Sequence, residues 1–326
     1  MSVLKVHVSY KCSAECMHCH LQGGKFESQA IDLEMAKTAI LKLKEMNNLE
    51  LVVLLGGEPG LFPDLTHKLA EYAAGLGCQT RVETNASWAN NKESAVKFLK
   101  PLVKIGCEIM LSVDAFHEPF VKINNNETAI RVLDELKGRY VIEVPYLISE
   151  NSGNPIDIRT NQLIAELEKL LGRVPFAKNV NKGIVYFKGR AAHKLAGLVQ
   201  KGRGIPQGKC DYVPWWQNGD QGTPELLSLD PFGNVTKECG IAIGNVNKSK
   251  IEDILGKFSS NAHPIISILI EKGPIGLAEE ACKMGYKLKE DYADKCHLCQ
   301  ELRETLRVRY PEILTPENHY IDRTRK

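Results

Sequence analysis

Tyr10-Lys11-Cys12-Ser13-Ala14-Glu15-Cys16-Met17-His18-Cys19-His20 sets three thiols close together on one short stretch. It follows Val3–Val8, an apolar run that alternates like a strand. Thiolates are soft ligands, and three this close can be drawn onto one metal centre. Three are too few to close a tetrahedral structural zinc site, which takes four. The remaining position is either filled from elsewhere, with His18 or His20 as the nearest donors, or left open for a substrate.

Outward from this stretch, the first two-thirds of the chain alternates between strand and helix patterns. Strands are expected at Val3–Val8, Leu51–Leu55, Thr80–Thr84, Glu108–Val113, Tyr140–Leu147 and Gly183–Phe187. Helices are expected at Asp32–Met46, Asp64–Ala74, Lys92–Val103, Thr128–Leu136 and Asn161–Leu171. Leu51–Leu55 is apolar throughout, the pattern of a parallel strand buried on both faces. Six strand–helix units, less the last helix, predict an α/β fold with a parallel sheet, open or curled into a partial barrel. Ligands of such sheets collect at the carboxyl ends of the strands.

Polar motifs fall at those ends. Gly56-Gly57-Glu58-Pro59-Gly60 follows the second strand; its glycines admit a close approach, and its carbonyls and Glu58 can accept from an ammonium group. Glu83-Thr84-Asn85 follows the third strand and Ser112-Val113-Asp114-Ala115-Phe116-His117 the fourth, as ribose-binding groups or as turn and cap residues. His117 reads as a substrate contact, a proton donor or a loop histidine. Lys188-Gly189-Arg190-Ala191 follows the sixth. Cys78 and Cys107 each follow a glycine and read as small buried hydrophobes.

Beyond Arg190 the pattern changes. Cys210 stands alone, and Asp230-Pro231-Phe232-Gly233-Asn234 reads as a hairpin turn leading to Cys239. Cys296-His297-Leu298-Cys299 opens a final helix through Arg307. By spacing, Cys210, Cys239, Cys296 and Cys299 suit structural zinc or an iron–sulfur cluster. Cys282 is left over, as an alternative ligand, a core thiol or a hydrogen-atom donor.

The Cys-x3-Cys-x2-Cys loop after a first strand, followed by Gly-Gly-Glu-Pro after the second, resembles the radical S-adenosylmethionine (SAM) enzymes. The resemblance implies a partial (β/α)6 barrel. It also implies a [4Fe-4S] cluster on Cys12, Cys16 and Cys19, with SAM on its open iron. Gly56, Gly57, Glu58 and Pro59 would bind the SAM amino group; Asn85, Ser112 and Asp114 would line the SAM pocket; Arg190 would face the SAM carboxylate. The later region resembles the twitch, or truncated SPASM, extension, in which a hairpin and a terminal helix hold an auxiliary [4Fe-4S] cluster, here on Cys210, Cys239, Cys296 and Cys299.

By motif order the resemblance runs over about residues 1–310, with a core at 1–200, an auxiliary region at 201–310 and a tail at 311–326, expected as loop or a lid over the surface. It implies reductive cleavage of SAM to a 5′-deoxyadenosyl radical, hydrogen abstraction from a substrate, and an external electron donor such as a flavodoxin or ferredoxin. The motif order is most similar to the peptide epimerases, which pairs it with a ribosomally made peptide, epimerised or crosslinked. One departure counts against epimerisation: those enzymes carry a hydrogen-donating cysteine directly after the ligand that follows the hairpin, where this chain has Gly240. Epimerisation by that route would need Cys282 as the hydrogen-atom donor in its place. The alternatives are a radical SAM enzyme on a small metabolite or RNA, and a non-enzymatic metal or redox module.

Composition bounds the partners. The 326 residues carry a net charge of +2 and are 43% hydrophobic, a globular make-up without a basic patch for nucleic acid. The basic stretches Lys248-Ser249-Lys250 and Arg323-Thr324-Arg325-Lys326 are short and read as solvated surface. No stretch has the length of a membrane span and none reads as a signal peptide, so the expected compartment is the cytoplasm. Ten cysteines in that compartment argue against a disulfide framework; the terminal clusters suggest metal, and Cys78 and Cys107 core packing.

Overall fold

A computed structural model describes residues 2–47, 49–172, 180–211 and 226–321. Its centre is a nine-stranded sheet in the order β6-β5-β4-β3-β2-β1-β7-β8-β9. Strands β1 (Val3–Ser9), β2 (Leu51–Gly56), β3 (Gln79–Thr84), β4 (Glu108–Ser112), β5 (Arg139–Tyr146) and β6 (Val180–Ile184) run parallel. Helices α1 (Leu33–Asn47), α2 (Pro63–Gly75), α3 (Lys92–Lys104), α4 (Ile123–Leu136) and α5 (Pro155–Leu171) connect them. The α/β architecture expected from the alternating pattern is therefore present.

Each strand divides its residues between two faces. Leu4, Val6, Val8, Val52, Leu54, Val82, Ile109, Leu111, Ile142 and Val144 join the helices in the main core. The register puts Lys5, Arg81, Glu108 and Glu143 on the opposite, inner face. There the charges pair locally, with Lys5 3.1 Å from Glu238 and Asn181 donating to Glu143 at 2.6 Å. Strand β2 is apolar on both sides: Leu51, Val53 and Leu55 form a small inner cluster.

Three elements depart from the expected bounds. Helix α4 begins at Ile123, ahead of Thr128, because Asn125 and Asn126 are spent on tertiary contacts: Asn126 donates to the Ser112 carbonyl at 3.2 Å and Asn125 to that of Ser87 at 3.2 Å. Helix α5 begins at Pro155, ahead of Asn161; Asn154 caps it by accepting from Ile156 N–H at 2.9 Å. Strand β6 ends at Ile184; Val185 N–H still donates to the Tyr146 carbonyl at 2.9 Å, and the side chains of Val185 and Phe187 bury beside Cys16 in a separate apolar cluster.

The sheet continues past residue 200. Strand β7 (Leu226–Leu229) adds parallel to β1 on the far side, and β8 (Asn234–Thr236) and β9 (Ala242–Asn245) follow antiparallel. The Asp230 turn forms as expected, its carboxylate accepting from Phe232 N–H and Asn234 N–H at 2.9 Å each. The short helices α6 (Arg190–Lys194), α7 (Ile251–Lys257), α8 (Ile266–Glu271) and α9 (Ala278–Lys283) come before the terminal helix α10 (Lys295–Leu306). Leu269, Leu277, Leu298, Leu302 and Leu314 centre a second core there.

Residues 311–321 do not lie loosely over the surface. Leu314 is fully buried and bridges Ile241, and Ala242 N–H donates to the Ile313 carbonyl at 2.7 Å. Residues 323–326 lie outside the described residues. Among the described residues no helix is long and apolar enough to cross a membrane.

Candidate functional site

The cysteine loop leaves β1 and crosses directly over the carboxyl end of β2. Gly57 N–H donates to the Ser9 carbonyl at 2.7 Å and Glu58 N–H to the Lys11 carbonyl at 2.8 Å. A Cβ on Gly57 would lie 2.0 Å from the Lys11 oxygen. The glycines thus admit the chain's own cysteine loop. The loop closes on itself through Cys12 N–H to the Gly24 carbonyl at 3.0 Å and Gly24 N–H to the Tyr10 carbonyl at 3.2 Å.

Arg190 holds this loop from above. Its side chain is buried, and its guanidinium donates to the carbonyls of Cys16 at 3.0 Å and Gly23 at 2.9 Å. Its own N–H donates to the Cys19 carbonyl at 3.0 Å. The geometry therefore directs Arg190 at the loop backbone, where a contact to a carboxylate ligand was expected. The two carbonyls sit where a planar fork can bridge them.

Glu58 also faces inward. It is buried and accepts from Gly60 N–H at 2.7 Å, Thr84 Oγ1 at 2.6 Å and Asn85 N–H at 2.8 Å. This ties the end of β3 to the Gly-Gly-Glu-Pro turn. Asn85 is thereby aimed at the loop, with Nδ2 3.2 Å from Ser13 Oγ and 3.7 Å from Cys12 Sγ. Burial pushes the Cys12 thiol up, and Glu58 adds to the shift; burial raises Cys16 as well. Such thiols stay protonated until a metal displaces the proton.

Asp114 is spent within its own turn. It accepts from Phe116 N–H at 2.8 Å, His117 N–H at 2.9 Å and His117 Nδ1 at 2.7 Å. Burial would lower His117, but Asp114 and Cys16 beside it hold it well above its ordinary value. His18 packs against the rings of Phe116 and His117, with centroids at 4.6 and 5.0 Å, and burial pushes it down to about 4. The Ser112 carbonyl receives Asn126.

The second thiol set comes together from three segments. Cys210, Cys239, Cys296 and Cys299 line one cavity, with Lys188 and Arg303. Lys188 Nζ lies 3.5 Å from Cys239 Sγ, and Arg303 Nε lies 3.2 Å from Cys299 Sγ. Both cations are buried. Burial raises the Cys296 and Cys299 thiols, while these cations oppose that rise. Neither cation was singled out from sequence. Arg303 carries a signal, since a residue four places after Cys299 shares its helix face.

Glu238, Cys239 and Gly240 all adopt left-handed backbone, with φ of 69°, 56° and 70°. A Cβ on Gly240 would lie 2.9 Å from His319 Cβ. The turn is held by Arg303, which donates to the Cys239 carbonyl, and by Tyr320 Oη, which donates to the Gly240 carbonyl at 2.6 Å. Cys282 is exposed on α9 and is not among the residues lining the cavity, so it is no core thiol. Cys78 and Cys107 are buried in the main core.

Comparison with known proteins agrees with this geometry. Residues 6–149 match the family model of the Radical SAM superfamily. An uncharacterized protein of Methanocaldococcus jannaschii, MJ0907, is 28% identical over 148 residues, which are 44% of this chain and 49% of that protein. The match thus spans about half the length of that relative. Among solved structures, anSMEcpe with bound AdoMet aligns over 96% of this chain and 98% of its own, with a TM-score of 0.54 and 13% identity. The same enzyme with bound AdoMet and Cp18Cys peptide aligns over 96% and 97%, with a TM-score of 0.52 and 14% identity. The residues matched by the Radical SAM superfamily model, 6–149, hold the cysteine loop and the Gly-Gly-Glu-Pro turn beneath it.

Proposed function

We propose that this chain is a radical SAM iron–sulfur enzyme acting on a ribosomally made peptide. In this reading Cys12, Cys16 and Cys19 hold a [4Fe-4S] cluster beside SAM, and Cys210, Cys239, Cys296 and Cys299 hold an auxiliary one. When bound, the first cluster supplies the electron that splits SAM to methionine and a 5′-deoxyadenosyl radical, which takes a hydrogen atom from the substrate.

The observation that carries the reading is the backbone-to-backbone fit of the cysteine loop onto Gly57 and Glu58 at the carboxyl end of a parallel sheet. The chain's own residues do the positioning. Arg190 fixes the loop carbonyls, Asn85 donates toward Cys12, and Glu58 holds Asn85 in place. At the second set, four thiolates would bring negative charge into the cavity, and Lys188 and Arg303, with Lys295 also on its lining, would offset part of it. A peptide substrate is supported by the fold shared with anSMEcpe, one of whose structures holds a peptide with AdoMet. An external flavodoxin or ferredoxin completes the scheme as electron donor. Gly240 disfavours hydrogen return from that position, so a crosslink ranks ahead of epimerisation.

A small polar metabolite is the second reading. It is favoured by the charged inner face of the sheet, where Lys5, Arg81 and Glu143 lie.

The test is anaerobic reconstitution with iron and sulfide, followed by dithionite and SAM. Release of 5′-deoxyadenosine is expected, with about eight irons per chain, falling to about four when Cys12, Cys16 and Cys19 are all changed to Ala. No 5′-deoxyadenosine from iron-loaded protein refutes the enzyme reading. Iron falling to nothing in the triple variant refutes the auxiliary cluster. A mass change in a candidate precursor peptide separates peptide from metabolite.

A further inference from the structure

The cysteine loop brings a second, different donor set together. One ligand atom each from Cys16, His18 and His117 lie within 4.8 Å of one another. They come from two segments: the loop after β1 supplies Cys16 and His18, and the turn after β4 supplies His117. The Nδ1 atom of His117 is engaged by Asp114 at 2.7 Å, which leaves Nε2 as the ligating nitrogen. His18 Nδ1 is buried with no hydrogen-bond partner among the described residues. Its ring packs against those of Phe116 and His117.

We infer that Cys16, His18 and His117 form a binding site for a single divalent ion of the zinc class, distinct from the three-thiol site and exclusive with it. One thiolate and two imidazoles are a donor set that zinc takes readily, with the fourth position left to water. Around a tetrahedral ion with ligands at about 2.0–2.3 Å, donor atoms stand about 3.3–3.7 Å apart, so donors within 4.8 Å of one another need close by no more than about 1.5 Å on binding. Asp114 behind His117 supplies the carboxylate–histidine arrangement that fixes a ligating ring.

The structure thus selects His18 and not His20, adds a histidine about a hundred residues away, and uses only one of the three thiols. Because Cys16 is shared, an ion here withholds the loop from any centre that needs all three thiols. The site itself does not depend on the iron–sulfur reading.

The test uses the full chain, stripped by chelator under anaerobic conditions and titrated with Co2+ as a spectroscopic stand-in for zinc. Three proteins are compared: the unaltered chain, Cys12→Ala/Cys19→Ala, and His18→Ala/His117→Ala. Bound Co2+ is expected to be unchanged in the cysteine variant and lower by one equivalent in the histidine variant. Loss of one equivalent in the cysteine variant, with or without loss in the histidine variant, places the ion on the three thiols and overturns the proposal. No loss in either overturns it as well.

Metal held by the second thiol set is common to all three proteins and cancels. His18→Gln/His117→Gln, checked by circular dichroism, guards against misfolding and is expected to lose the same equivalent. Asp114→Asn is expected to weaken Co2+ binding about 10–100-fold while keeping its stoichiometry. Zinc loaded first is expected to block formation of one cluster out of two on later addition of iron and sulfide. If the cluster reading fails instead, no iron is taken up in either order, and the Co2+ result still stands or falls alone.

Discussion

Changing Gly57 to Ala tests the contact on which the site is built. The new Cβ would lie 2.0 Å from the Lys11 oxygen, 2.4 Å from the Lys11 carbonyl carbon and 2.7 Å from the Tyr10 oxygen. All three are backbone atoms, so no side chain can swing aside. Ordinary contact begins near 3.4 Å, and the loop must therefore retreat by about 1.4 Å. That retreat stretches the bonds from Gly57 N–H to Ser9 and from Glu58 N–H to Lys11, now 2.7 and 2.8 Å, beyond hydrogen-bond range. Each of these two backbone bonds, once broken, costs about 1–3 kcal/mol, so the variant is expected to lose about 2–6 kcal/mol.

Gly75→Ala is the matched control. It ends helix α2 with nothing within 4 Å of its Cβ, and alanine there is expected to be neutral or to stabilise by about 0.5–1 kcal/mol. Denaturant unfolding of the chelator-treated proteins measures both. If Gly57→Ala unfolds within about 1 kcal/mol of Gly75→Ala, the loop is not seated on the turn and the reasoning fails.

Other expectations follow from single side chains. Arg190→Lys cannot bridge the Cys16 and Gly23 carbonyls and is expected to cost about 2–4 kcal/mol in denaturant unfolding; wild-type stability would show that the bridge is idle. Arg303→Met removes a cation from Cys299 and a donor from Cys239, and iron held after desalting is expected to fall by about four per chain, while the same iron content as wild type would count against the second set. Asp230 is buried, and burial pushes it up to about 6 from 3.8. The native state then keeps this proton to higher pH than the unfolded chain, so its stabilising contribution is full below about 3.8 and is lost by about 6, roughly 3 kcal/mol in all. Asp230→Asn is expected to flatten that part of the stability-against-pH curve, and an unchanged slope would assign it to other groups.

Much of the scaffold was legible because it rests on local pattern. The alternation of Val3–Val8 and the unbroken apolar run of Leu51–Leu55 identify strands by themselves, and the cysteine spacing marks the loop between them. The side-chain partners were not legible, because each is chosen by a segment far away. Glu58 turns toward Thr84 and Asn85, Asp114 toward His117, and Arg190 toward loop carbonyls, although the family resemblance assigns each to a ligand. Lys188 was passed over beside Arg190, yet it is the one that reaches a thiol. The start of α4 was hidden by three consecutive asparagines, residues whose propensity is poor and whose amides here serve tertiary contacts.

The contact between Arg190 and the Cys16 carbonyl joins residues 174 positions apart in the chain. A ribosome adding about 5–20 residues per second needs about 10–35 s to cover that distance. Throughout that interval Cys12, Cys16 and Cys19 have emerged while the side chain that shapes their loop has not. The second set waits in the same way, because Cys296 and Cys299 are made well after Cys210 and Cys239. A nascent chain therefore presents the bare thiols of Cys12, Cys16 and Cys19 to oxidants and stray metals well before the side chain that shapes their loop exists.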